Sequence, residues 1–165
     1  EQFNTILQAF QIVEKELDVA YIITYPNNEY GSHLIVDKIR TKKDVSNYFI
    51  FESLGWQDYI ATMAHCDLVI GNSSSGMLEA PILKVPSLDI GTRQLGRYSP
   101  FSVHHIENYD ATIIADKMKT VLLDGKKEFS HPYGSGDASR RIYETLEKIW
   151  SETSKSVILQ KKITY

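Results

Sequence analysis

Apolar positions along the chain switch between two periods. Phe3, Ile6, Leu7, Phe10, Val13 and Leu17 recur at three- and four-residue spacing, which predicts an amphipathic helix. Tyr21 to Tyr25 form a short apolar run, and Pro26-Asn27-Asn28 stop it, so a strand is expected there. The same contrast continues. Helical spacing covers residues 32–43, with Leu34, Ile35 and Ile39 inward, and residues 56–65, with Trp56, Tyr59, Ile60 and Met63. Strand-like runs occupy Tyr48 to Phe51, Leu68 to Ile70, Val85 to Ile90 and Ser102 to Ile106. Further helices are predicted over 75–83, 111–123 and 137–154, the last with Asp137 as its N-cap. Trp56 is expected to anchor its helix against the sheet, as buried aromatics do.

Strands that alternate with helices across short loops, and that are apolar throughout, argue for an α/β fold. The expected core is a doubly wound parallel sheet buried on both faces. The series opens on a helix, where a βαβ succession normally opens on a strand, so the chain is expected to be part of something longer. No linker is expected before about residue 155, and residues 156–165 read as a tail.

The bulk numbers remove several classes of function. The 165 residues suffice for one domain with a real core. A net charge of −3 offers no basic field for nucleic acid or an anionic membrane. The apolar runs are too short to span a bilayer. A single cysteine, Cys66, excludes an internal disulfide framework and suits a reducing cytoplasm. It reads as a small buried apolar residue. The five histidines show no metal-ligand spacing: His104 and His105 are adjacent on a predicted strand, and His65 closes a helix.

Candidate chemistry concentrates at Gly71-Asn-Ser-Ser-Ser-Gly76, between a predicted strand and a predicted helix. Such a loop lies at the carboxyl edge of a parallel sheet, and the helix start offers N–H groups to an anion. Gly71 and Gly76 match half of an ATP-type phosphate loop, but Met77 and Leu78 stand where lysine and serine or threonine are required. A serine nucleophile elbow fails as well, because Ser75 occupies its last glycine and no base has a claim on Ser73. Two readings stay open: a passive cradle for a diphosphate, or a serine-rich N-cap with no ligand. Glu79 lies one helical turn beyond Ser75, where a carboxylate could accept from a ribose diol or simply face solvent. Downstream, Asp89-Ile-Gly-Thr-Arg-Gln-Leu-Gly-Arg97 follows the next strand, with two arginines four apart that suit bidentate anion contacts.

These two stretches, with Tyr25-Pro26-Asn27 and Pro132 to Ser139, resemble the UDP-N-acetylglucosamine 2-epimerase family over residues 20–150. The resemblance is strongest to the hydrolysing branch that makes N-acetylmannosamine for sialic acid synthesis. It implies a Rossmann-like C-terminal lobe of a two-lobed GT-B fold, with the first strand missing, in residues 1–155. Carried over by motif, Ser73 and Ser74 would hold the diphosphate and Glu79 the ribose hydroxyls. The backbone at Leu54 would meet uracil, and Arg93 and Asn27 would line the nucleotide-sugar site. Pro132 to Asp137 would lie near the interlobe crossing. The catalytic acidic residues belong to the other lobe, so none is expected in this chain, and the 165 residues alone are expected to be inactive. The family's C-terminal lobe also carries a site histidine on its first strand, upstream of this chain's opening helix. Asp37 stands where members regulated by CMP-sialic acid carry arginine, so that feedback is not expected. The resemblance implies no metal and no cofactor, a UDP-sugar as the partner, a cytoplasmic setting and a homo-oligomer for the full-length protein. Two alternatives remain: a relative acting on a di-N-acetylated UDP-sugar, and a nucleotide-sugar binding module without catalysis.

Overall fold

Helices and strands alternate from Gln2 to Ile90, as the two periods predict, and a second strand then precedes the next helix. In chain order they are α1 (Gln2–Val13), β1 (Tyr21–Thr24), α2 (Ser32–Arg40), β2 (Tyr48–Phe51), α3 (Gly55–His65), β3 (Val69–Gly71), α4 (Ser75–Ile82), β4 (Ser87–Ile90), β5 (Val103–Ile106) and α5 (Ala111–Asp124). A last helix, α6, runs over Ala138–Glu152. This computed structural model describes residues 2–126 and 130–152; the expected tail lies outside them. The chain divides into two compact units, Glu1–Ser130 and His131–Tyr165.

All the described strand pairs are parallel. They do not join into the single sheet expected from the pattern. β1 pairs with β2, while β3, β4 and β5 form a separate sheet in that order. The edges of β1 and β3 both border one cleft, lined by Ile22 and Ile23 on one side and Leu68 and Ile70 on the other. The backbone bonds that would make one sheet of them are replaced by that space.

Burial on both faces holds for β4 alone. Ser87 to Ile90 are all buried, because this strand lies between two others and under α4 and α5. The core gathers Phe10 and Val13 of α1, Leu88 and Ile90 of β4, and Ile114 and Met118 of α5. The β1–β2 sheet is covered on one face only. Phe10 stacks on Tyr21 at 4.2 Å between ring centroids, and Tyr21 meets Tyr48 at 4.9 Å. Burial holds both phenols well above their ordinary pKa, with the neighbouring Glu14 carboxylate adding to the effect. On the opposite face Ile22 and Phe49, paired in register, are 45% and 50% exposed.

Two expectations about helices are corrected. Trp56 does not anchor α3 on the sheet; it is 77% exposed. Leu34 is likewise exposed, leaving Ile39 as the buried residue of α2. Both belong to the first turn of their helices. In a parallel sheet those turns begin beyond the strand ends, past the apolar strand residues. α5 opens on Asp110, whose carboxylate accepts from the Thr112 and Ile113 amides at 2.9 and 3.0 Å. Such a cap satisfies two of the donors that a helix start leaves open.

In the second unit, α6 presents Ile142, Leu146 and Trp150, spaced by four and all exposed, as a stripe along one side. Before it, Gly134 and Gly136 take positive φ, and Ser135 donates to Asp137 at 3.2 Å.

Candidate functional site

Parallel strands deliver their carboxyl ends to one edge, and the loops collected there make the site. After β3 the chain passes through Asn72, Ser73 and Ser74 into α4. Helix packing holds that turn close to the sheet. Gly76 lies against β4, where an added Cβ would sit 3.4 Å from the Cβ of Ser87. The Ser87 hydroxyl donates to the Gly76 carbonyl at 2.6 Å. Ser74 occupies the N-cap position with helical backbone angles and makes no capping bond with its side chain. Ser73 does a little capping: its hydroxyl accepts from the Ser75 amide at 3.3 Å.

The second loop, between β4 and β5, is bound to the first. Gln94 is buried, and its Nε2 donates to the Asn72 carbonyl at 2.7 Å. Gly91 begins this loop with φ +97°, a conformation that favours glycine, and a Cβ there would run into the Tyr109 hydroxyl. A third wall comes from the segment after β1. Arg93 donates from Nη2 to Glu29 Oε1 at 3.1 Å, with both side chains more than half exposed. An exposed pair of this kind is weak. An anion entering the cleft would compete with Glu29 for the same guanidinium.

Together these loops border a cleft of about 1430 Å³. Polar residues of its lining include Asn27, Ser73, Ser74, Arg93, Gln94 and Arg97, and an apolar part lined by Ile22, Ile23, Leu68 and Ile70 runs between β1 and β3. Four of the six expected ligand residues, Asn27, Ser73, Ser74 and Arg93, therefore face one space. Leu54 and Glu79 are not among its lining residues. Leu54 is the N-cap residue of α3, a position whose backbone suits a contact. Glu79 holds Oε2 buried without a hydrogen-bond partner among the described residues. Such an oxygen favours a donor when one can reach it.

Gln94 and Glu29 were not singled out from the sequence. Neither carries a motif of its own; their roles arise from bonds spanning 22 and 64 residues. No group of three or more His, Cys, Asp or Glu is placed to hold a metal ion among the described residues. Cys66 is half-buried rather than fully buried, and burial, with Asp67 beside it, pushes its thiol pKa up. That opposes formation of a nucleophilic thiolate.

A family model described as UDP-N-acetylglucosamine 2-epimerase matches residues 1–147 of the chain. The chain belongs to this family. Within the UDP-N-acetylglucosamine 2-epimerase family, it is 30% identical to an enzyme of that name from Neisseria meningitidis serogroup B, over 86% of this chain and 37% of the relative. It is also 30% identical to the UDP-N,N'-diacetylbacillosamine 2-epimerase (hydrolyzing) of Legionella pneumophila, over 90% of this chain and 38% of the relative. The chain thus spans well under half the length of these curated relatives. Two solved structures share the fold. One, assigned to the UDP-N-acetylglucosamine 2-epimerases of Listeria monocytogenes, superposes with TM-score 0.72 at 19% identity, covering 99% of this chain and 44% of that one. The other, the Neisseria meningitidis UDP-GlcNAc 2-epimerase bound to UDP-GlcNAc, gives 0.62 at 19% identity, covering 88% and 40%.

Proposed function

We propose that this chain is the UDP-binding part of a hydrolysing UDP-N-acetylglucosamine 2-epimerase. One observation carries the reading most directly. Ser73 and Ser74, at the N-terminus of α4, border the same cleft as Asn27 and Arg93. Hydroxyls, helix amides and a guanidinium around one space suit a diphosphate. Glu79, one turn into α4 with an unpartnered oxygen, would take the ribose hydroxyls once a nucleotide draws near. Leu54 would offer its backbone to the uracil. The lobe would belong to a GT-B enzyme, with proton chemistry supplied by acidic residues of the other lobe.

In the reaction assigned to the whole enzyme, UDP leaves by elimination and water adds to the glycal. C2 inverts, and N-acetylmannosamine is released. This lobe's part is leaving-group stabilisation. Donors fixed in place gain strength as charge builds on the departing diphosphate. Neither a metal nor an organic cofactor enters this account. A cytoplasmic homo-oligomer that feeds sialic acid synthesis is the setting we assign.

The cleft fits the same assignment. Its volume exceeds the roughly 300–1000 Å³ usual for a ligand pocket. We assign the part between β1 and β3, lined by Ile22, Ile23, Leu68 and Ile70, to one further parallel strand of the GT-B lobe.

A second reading has its own support. The Legionella relative acts by name on a diacetylated UDP-sugar at the same 30% identity. The UDP contacts proposed here would serve either sugar. Calorimetry with UDP tests what both share. A micromolar to millimolar dissociation constant is expected, and no heat up to several millimolar UDP would remove both enzyme readings.

A further inference from the structure

Beyond the cleft, one polar chain of contacts has no part in the function proposed above. Asp89 of β4 and His105 of β5 stand opposite each other in the parallel register, so their side chains share a face. His105 Nδ1 lies 2.8 Å from Asp89 Oδ2, and His105 Nε2 lies 2.8 Å from the Ser99 hydroxyl. The Asp89 side chain is 3% exposed, and its other oxygen, Oδ1, has no partner among the described residues. His105 therefore supplies its described hydrogen bond, which makes that bond costly to lose.

We propose that Asp89, His105 and Ser99 act as a positioning relay that fixes the far end of the loop carrying Arg93 and Arg97. The loop leaves β4 at Gly91 and is bound at its near side by Gln94 to Asn72. Along the loop run two backbone bonds, Leu95 to Thr92 at 3.2 Å and Arg97 to Gln94 at 3.3 Å, and the exposed Arg93–Glu29 pair. Ser99, two residues beyond Arg97, is tethered to His105. With Nδ1–H donating to the carboxylate, Nε2 accepts from the Ser99 hydroxyl. If the ring gains a proton, Nε2–H donates to the same oxygen instead, since a hydroxyl serves both ways. The tether survives either state, so it acts as a strut rather than a switch.

The same order of groups activates a serine in hydrolases. Here Ser99 is not among the residues that line the cleft, whereas Arg93, Gln94 and Arg97 are. The hydroxyl faces its histidine and no substrate space, which favours positioning over attack.

The inference rests on the diphosphate reading, and its test separates the two. Ser99→Ala removes an exposed hydroxyl and leaves the fold intact. Amide hydrogen exchange of residues 92–98, measured on the unliganded chain, should quicken about tenfold in Ser99→Ala, while β4 is unchanged. UDP affinity should fall about fivefold and uridine affinity by less than twofold, because only the diphosphate meets the arginines. Ser99→Thr, which keeps the hydroxyl, should restore both within twofold. Unchanged exchange at 92–98 overturns the relay, and so does an equal loss for UDP and uridine. Quickened exchange in a chain that binds no UDP upholds the relay and overturns the diphosphate reading.

Discussion

Ser74→Asp is expected to abolish most UDP binding while leaving α4 as stable as before. The two effects have opposite electrostatic signs. Ser74 is the N-cap residue of an eight-residue helix and borders the cleft. An aspartate there places a charge that favours the positive end of the helix dipole by about 0.3–1 kcal/mol. The same charge facing a diphosphate costs several kcal/mol, because like charges are forced together away from bulk water. About 2–3 kcal/mol would lower affinity some 30- to 150-fold. Calorimetry gives the affinity and a urea titration gives the stability. Retained UDP binding in a folded Ser74→Asp chain would exclude the serine loop as the diphosphate site. Ser74→Ala serves as the milder control, with a loss nearer that of one hydrogen bond.

Leu88→Ala should give the largest loss of stability among single changes near the site. Leu88 is 1% exposed in the middle of β4, within the core that α1 and α5 close. Emptying such a position costs about 2–5 kcal/mol, as lost transfer energy plus a cavity. For a chain of this size the unfolding midpoint should fall by roughly 5–20 °C. Leu78, on the outer side of α4 and 37% exposed, should cost far less when changed to alanine. Equal midpoints for Leu88→Ala and Leu78→Ala would contradict β4 as the centre of the core. UDP affinity should also weaken in Leu88→Ala, because its neighbours Ser87 and Asp89 support the two loops from below.

Much of this architecture is readable from the chain itself. Each predicted helix and strand in the described residues is present, since periods of 3.6 and 2 are local properties of the backbone. Ends were harder: the first helix stops at Val13, although its apolar spacing runs on to Leu17. Glu14 to Leu17 continue as turns, with Leu17 still packed on the core. The side chains of Trp56 and Leu34 escaped prediction because exposure depends on what lies beneath a helix turn. The break between β1 and β3 is also invisible locally, since strand pairing is a relation between distant segments.

For the site, the residue types were legible and the bonds between loops were not. Asn27, Ser73, Ser74 and Arg93 stand out by motif and converge on one cleft. Glu29, Gln94 and the Asp89–His105–Ser99 relay depend on register and loop path. His105 in particular looked like half of an uninformative pair until β5 was aligned with β4.

The bond from Gln94 to the Asn72 carbonyl has a practical consequence for redesign. The serine loop and the arginine loop come from different strands, yet they behave as one module. Replacing the arginine loop with one that lacks glutamine at position 94 would leave the Asn72 carbonyl without its donor, and reshaping the serine loop would move that carbonyl away from a buried amide. The two loops are therefore best exchanged together.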